Sequence, residues 1–251
     1  MAGVALITGA SAGLGLEFAR QLSSKGHRLV LVARRKDRLD ALVAELANAR
    51  AVEIDLSKPG ATAALMRDLE KAGEQVEVLI NNAGFGLRGP FTELDAARQR
   101  EMIDLNCGAL TELCRAVAPA MVERRSGSIL NVASTAAFQP GPWMAVYFAT
   151  KAYVLSFTEA LHEELKPHGV KVSALCPGPT RTEFGAVAGF DQKGSFDRLS
   201  ADAASVVRAG LEGIERNKAV VVPGLLNKVG ASSTRFVPRA WVRRIAGRLK
   251  F

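Results

Sequence analysis

Residues 8–15 read Thr8-Gly9-Ala10-Ser11-Ala12-Gly13-Leu14-Gly15, closing the apolar run Val4–Thr8 and opening a segment of helical period. Glycines at a strand-to-helix junction permit a tight turn and a close backbone approach. The free N–H groups and the dipole of the helix start attract an anion, a pyrophosphate above all. A glycine triplet alone is a weak signal, and its position strengthens it. It stands at the first junction of a chain in which short β-branched runs alternate with longer helical segments, the context a dinucleotide site requires.

The predicted strands are Val4–Thr8, Arg28–Ala33, Arg50–Ile54, Val78–Asn81, Ser128–Ala133, Val170–Cys176 and Ala219–Val222. Several are apolar at nearly every position, as strands covered on both faces are. Helical patterns cover Gly13–Lys25, Lys36–Ala47, Gly60–Ala72, Ala96–Arg124, Tyr147–Lys166 and Ala201–Arg216. The alternation predicts an α/β fold, a doubly wound parallel sheet of about seven strands with helices on both faces. With no repeat and no Pro/Gly linker, the expectation is one domain over 1–251. Two stretches break the rhythm: Pro177–Ser200, Gly/Pro-rich and holding Phe184, Phe190 and Phe196, reads as a binding loop or lid, and 225–251 follows the last strand as an extension.

The composition, 48% hydrophobic and 23% charged, excludes a disordered, collagenous or disulfide-scaffold chain. The net charge of +8 is localised: residues 1–216 carry 25 Lys/Arg and 25 Asp/Glu, whereas residues 217–251 carry 8 Lys/Arg and no acid. A basic chain of this kind is no argument for nucleic acid, and no reading motif accompanies the charge. Cys107, Cys114 and Cys176 lack paired spacing and read as reduced thiols, and no run reaches the ~20 apolar residues that span a bilayer. A cytoplasmic protein is expected. His27, His162 and His168 have no ligand partner at metal spacing, so no metal site is expected.

Two further residue sets carry chemistry. The second strand ends at Arg34 and Arg35, with no acid before Asp37; a carboxylate there suits a free ribose diol, whereas arginine suits a 2′-phosphate. NADP(H) in preference to NAD(H) follows, with Arg34 as the leading ligand and Ser11 as a hydroxyl partner. Tyr147 and Lys151, four residues apart, share one helix face. An ammonium beside a phenol favours the phenolate and lowers the phenol pKa from near 10.

Gly9-x-x-x-Gly13-x-Gly15, Asn81-Asn82-Ala83-Gly84, Ser134, Tyr147-x-x-x-Lys151 and Pro177-Gly178 occur in that order along almost the whole chain. The set resembles the short-chain dehydrogenase/reductase family, with its Rossmann fold. That resemblance implies that Tyr147 is the general acid/base, Lys151 lowers its pKa and holds the nicotinamide ribose, Ser134 holds the substrate oxygen, and Asn106 anchors a proton-relaying water. It also assigns Gly9, Ser11, Gly13, Leu14, Gly15, Arg34, Asp55, Leu56, Asn82, Ala83, Gly84, Tyr147, Lys151, Pro177, Gly178, Thr180 and Thr182 to the cofactor. Asp55 is expected at the adenine amino group and Thr182 near the carboxamide. Relatives commonly form dimers or tetramers through the long helices corresponding to Ala96–Arg124 and Tyr147–Lys166.

Ala136, Phe138, Trp143, Met144 and Phe184 are the expected pocket residues, and their character favours an apolar carbonyl or alcohol. Two alternatives stay open: a nonenzymatic NADP-binding regulator, against which the full set of four catalytic residues argues, and a membrane-surface-associated reductase of lipid-like substrates. The second draws on the tail, where Trp241, Val242, Ile245 and Leu249 fall on one helix face amid Arg239, Arg243, Arg244, Arg248 and Lys250. Packing of that face against the domain or a neighbouring subunit is the favoured reading.

Overall fold

In the computed structural model, residues 2–189 and 200–248 are described. Seven strands form one sheet, β1 (Ala2–Thr8), β2 (Leu29–Ala33), β3 (Ala49–Glu53), β4 (Glu74–Asn81), β5 (Gly127–Val132), β6 (Val170–Leu175) and β7 (Val220–Val221), in the order β3-β2-β1-β4-β5-β6-β7. Every pairing is parallel. The order reverses beside β1, between the crossovers that run outward to β2 and to β4, and the crevice above the carboxyl ends of those strands is where such sheets hold ligands.

Among the described residues there are ten α-helices: α1 (Gly13–Ser24), α2 (Lys36–Glu45), α3 (Ala61–Lys71), α4 (Ala96–Ile103), α5 (Leu110–Glu123), α6 (Ala145–Leu165), α7 (Phe184–Ala188), α8 (Ala203–Glu215), and, after the last strand, α9 (Leu225–Ser233) and α10 (Arg239–Arg248). Strand side chains alternate between faces, so β1 and β2 serve two cores at once. Val4, Leu6, Val30 and Val32 pack with Leu65, Leu113 and Val154 on one side. Ala5, Ile7, Leu29 and Leu31 pack with Phe18, Leu39, Val207 and Leu211 on the other. The expected doubly wound α/β architecture is the one observed.

The predicted boundaries hold to within a few residues, with three departures. β4 begins at Glu74, four residues early, because Glu74 is buried and clamped by Arg50 at 2.6 Å, which lets a charged residue start a strand. The helix predicted over Ala96–Arg124 is broken by a π-helical stretch at Asp104–Ala109, a deviation frequent at functional sites. The tail forms two helices.

The glycine loop is packed against the loop after β4. Gly9 and Gly13 adopt φ of +67° and +55°, in the left-handed region that favours glycine. A Cβ on Gly15 would stand 2.2 Å from the Gly9 carbonyl oxygen and 2.5 Å from Asn82 Nδ2. Gly15→Ala is therefore expected to cost about 1–3 kcal/mol, the usual effect of overpacking. Urea unfolding checks this: the midpoint should fall, and an unchanged midpoint would show that the junction has slack.

Candidate active site

A cavity of about 470 Å³ opens above the carboxyl ends of the strands, lined at one end by the glycine loop and at the other by α6 and α7. Its first wall is a set of ties between loops. Thr8 Oγ1 accepts from the Asn82 and Ala83 N–H groups at 3.0 and 2.9 Å, and Asn82 Nδ2 donates to the Thr8 carbonyl at 2.9 Å. Asn81 Nδ2 donates to Asn131 Oδ1 at 2.9 Å, joining β4 to β5. Gly9, Ser11, Gly13, Leu14, Asn82, Ala83 and Gly84 all line the cavity. Gly15 lies behind it, under the turn, where its lack of a side chain lets the loop close.

Both arginines that follow β2 line the cavity. Arg34 Nη1 donates to Glu101 at 3.1 Å and lies 3.9 Å from Asp55. Arg35 is the arginine beside Ser11: its Nε and Nη2 reach Ser11 Oγ at 3.2 and 3.1 Å. Arg35 also donates to Glu183 Oε2 at 2.9 Å, and Arg38 holds the other oxygen of that carboxylate. Arg38 and Arg35 together keep the Glu183 carboxyl below its usual range. Asp55 accepts from the Ser57 N–H and hydroxyl at 3.0 and 2.7 Å; partial burial opposes its ionisation, and those bonds outweigh it, leaving its pKa lowered. Leu56 is buried beside it.

Ser134 follows β5, and its Oγ accepts from the Ala136 N–H at 3.1 Å while hydrogen-bonding the Tyr147 phenol. Tyr147 and Lys151 project from α6, buried, with Lys151 Nζ 5.8 Å from the Tyr147 ring centroid. Lys151 Nζ donates to the Val132 carbonyl at 2.8 Å, which aims the lysine past the ring. A Cβ on Gly84 would stand 2.9 Å from Asn106 Oδ1 and 3.7 Å from Lys151 Nζ, so only a glycine leaves this junction open.

Burial pushes the Tyr147 phenol up to about 12, with the Ser134 bond pulling it down only in part. Burial likewise pulls Lys151 down to about 8. The Asn106 side chain is held by protein groups: Oδ1 accepts from the Phe85 N–H at 3.1 Å, and Nδ2 donates to the Phe85 carbonyl at 3.0 Å and Thr150 Oγ1 at 3.1 Å. It braces the loop after β4 against α6.

Beyond β6, Pro177, Gly178, Thr180 and Thr182 line the cavity, and a Cβ on Gly13 would meet Thr182 Cβ at 3.1 Å, so this segment faces the glycine loop across the crevice. At the far end Ala136, Met144 and Phe184 line the wall, with Phe184 tilted on Tyr147 at 5.2 Å between centroids. Phe138 and Trp143 do not line it. Phe138 ends the one-turn helix Thr135–Phe138 and packs into the core beneath, and Trp143, at φ +70°, turns outward and is 43% exposed. Phe85, Gln139, Phe148 and Val187 line the wall instead. Their spacing carries no periodic signal, and only the tertiary fold gathers them. Phe190 and Phe196 lie outside the described residues, and among those described no cluster of His, Cys, Asp or Glu could hold a metal ion.

A glycine-lined, arginine-ended crevice meeting a Ser–Tyr–Lys cluster defines a dinucleotide-dependent oxidoreductase class, and the comparisons agree. Residues 3–192 match the family model of the short chain dehydrogenases. The chain belongs to that family. It is 37% identical over 207 residues to sulfoacetaldehyde reductase 2 of Chromohalobacter salexigens, covering 80% of this chain and 82% of the relative. It is 37% identical over 180 residues to a very-long-chain 3-oxoacyl-CoA reductase of Pyrenophora tritici-repentis, covering 68% of this chain; it spans about half of that relative's length, 53%. A short-chain dehydrogenase of Sphingobium yanoikuyae, solved with NADPH, superposes with a TM-score of 0.84 at 38% identity, covering 94% of this chain and 93% of that one.

Proposed function

We propose that residues 1–251 form one oxidoreductase domain that uses NADP(H), in preference to NAD(H), to interconvert an apolar carbonyl and its secondary alcohol, with Tyr147 as general acid/base. The observation that carries the reading is the position of Ser134, Tyr147 and Lys151 where the glycine- and arginine-lined end of one cavity meets its apolar end.

The glycine cradle fits a dinucleotide: Gly9 and Gly13 leave backbone N–H groups open to a pyrophosphate at the start of α1, and Arg35 with Ser11 offers a cationic fork for a 2′-phosphate. A bound dihydronicotinamide supplies the hydride. Ser134 Oγ donates a hydrogen bond to the substrate oxygen, and Tyr147 gives its phenolic proton to the same oxygen as the alkoxide forms. Lys151, once protonated, stabilises the phenolate left behind. A phenol held near 12 is fully protonated at neutral pH, the form the reductive direction consumes.

Both named relatives reduce carbonyls and differ in the rest of the substrate. A sulfonate needs a cation, and among the described lining residues the cations are Arg34 and Arg35 at the cofactor end and Lys151 in the catalytic cluster. Met144, Phe148, Phe184 and Val187 favour an apolar chain. NADPH affinity tests the cofactor assignment. Arg35→Ala is expected to weaken NADPH binding about 10–100-fold, as charged hydrogen bonds of 1.5–3 kcal/mol are lost, and to leave NADH binding nearly unchanged. Arg34→Ala should cost less, and equal losses for NADPH and NADH would overturn the phosphate role.

Free thiols at Cys107, Cys114 and Cys176 suit a reducing compartment, and we read the cytoplasm as the location. No helix among the described residues is long and apolar enough to cross a membrane. A homo-dimer or homo-tetramer through α4–α5 and α6 is supported by exposed Ile103 and by the stacked, part-exposed Tyr153 and Phe157.

A further inference from the structure

The tail turns its large apolar residues the wrong way for a helix pair that only packs on the body. α9 and α10 are seated by small residues: Ala231 and Ala246 are buried, and Gly247 faces Pro142. Leu225, Leu226, Val229, Phe236, Trp241 and Ile245 stand 51–86% exposed. Of the two packings expected from the sequence, on the domain or on a neighbouring subunit, Trp241 and Ile245 do not make the first, and Leu249 lies outside the described residues. A docked amphipathic helix buries its bulky stripe; this one presents it.

Around that stripe stand Lys228, Arg235, Arg239, Arg243, Arg244 and Arg248, with no acid anywhere beyond Glu215. Among the described residues none of the six is held in an ion pair. α9 also lies against the cavity wall. Asn227 of α9 lies against Gly178, where a Cβ would stand 2.4 Å from Asn227 Oδ1, and Gly178 lines the cavity wall. α10 lies against Pro142, next to the outward-facing Trp143, and Val187 at the cavity rim is 56% exposed.

We propose that α9 and α10 form a docking face for an anionic lipid bilayer, which seats the mouth of the cavity at the membrane surface. Apolar side chains with a tryptophan enter the interface while the surrounding cations meet lipid phosphates. A second copy fits the same face worse, because two-fold pairing would set six unneutralised cations against six more. Delivery of an apolar substrate from the bilayer to the site rests on the oxidoreductase reading above; docking itself rests on the tail alone.

The full-length protein, without cofactor or substrate, is tested by co-sedimentation with vesicles of phosphatidylcholine and of phosphatidylcholine with 30% phosphatidylglycerol. Binding at least about tenfold tighter to the anionic vesicles, weakened by 0.5 M NaCl, is expected. The double variant Trp241→Asp/Ile245→Asp should lose it, and so should Arg243→Glu/Arg244→Glu, with reduction of a water-soluble ketone unchanged in both. Absence of binding, or equal binding to both vesicles, overturns docking. So does a concentration-dependent rise in mass, abolished by Trp241→Asp/Ile245→Asp, in a protein that ignores vesicles, which would assign the face to a second copy. Failure of the ketone reaction with vesicle binding intact would count against the oxidoreductase reading and leave docking standing.

Discussion

Tyr147→Phe is expected to lower kcat about 10²–10⁴-fold, the usual contribution of a positioned acid/base, while leaving NADPH affinity nearly unchanged. The change removes one hydroxyl from a buried ring that packs on Phe148 and Phe184, so the fold and the apolar wall keep their shape. What disappears is the phenolic proton that the proposed reduction delivers to the substrate oxygen. NADPH oxidation and NADPH fluorescence titration separate the two effects. A rate within a few-fold of the native protein would remove Tyr147 from the chemistry and revive the regulator reading.

Lys151→Met should be almost as damaging to turnover and should act on stability in the opposite direction. Burial lowers the Lys151 pKa from 10.5 to about 8, so between those values the unfolded chain holds a proton that the native protein does not. Stability from this group therefore rises as pH climbs from 8 to 10.5, and the cost of burying the charge is fully present below 8. A shift of this size corresponds to about 3 kcal/mol at 1.36 kcal/mol per unit, good to its order. Methionine carries no charge to bury. The variant is expected to lose about 10²–10⁴ in kcat/KM, bind NADPH more weakly, and match or exceed the native protein in urea midpoint at pH 7. The difference in midpoint should shrink by pH 10. A variant less stable than the native protein at both pH values would show that the Val132 hydrogen bond matters more than desolvation.

Much of this was legible in the chain because the relevant signals are local. Gly9, Gly13 and Gly15 sit within one loop, Tyr147 and Lys151 within one helical repeat, and several strands are nearly continuous apolar runs, so sequence distance and spatial distance coincide. What the sequence does not carry falls where they diverge. Arg34 and Arg35 are equivalent by spacing, and their different partners, Glu101 and Glu183, lie far along the chain. Phe138 and Trp143 have the right chemistry and the wrong direction, which for Trp143 is set by a positive φ that no composition announces. Thr8, whose hydroxyl ties β1 to the loop after β4, reads in sequence as an ordinary strand end.

The most direct test of an NADPH-dependent reduction of apolar carbonyls at the Ser134–Tyr147–Lys151 cluster is the initial rate of NADPH oxidation across a series of 2-alkanones of increasing length. An apolar wall should raise kcat/KM about fourfold per added methylene, the equivalent of about 0.8 kcal/mol each, until the cavity is filled. NADPH oxidation that is absent throughout the series, or a flat profile with chain length, would contradict it.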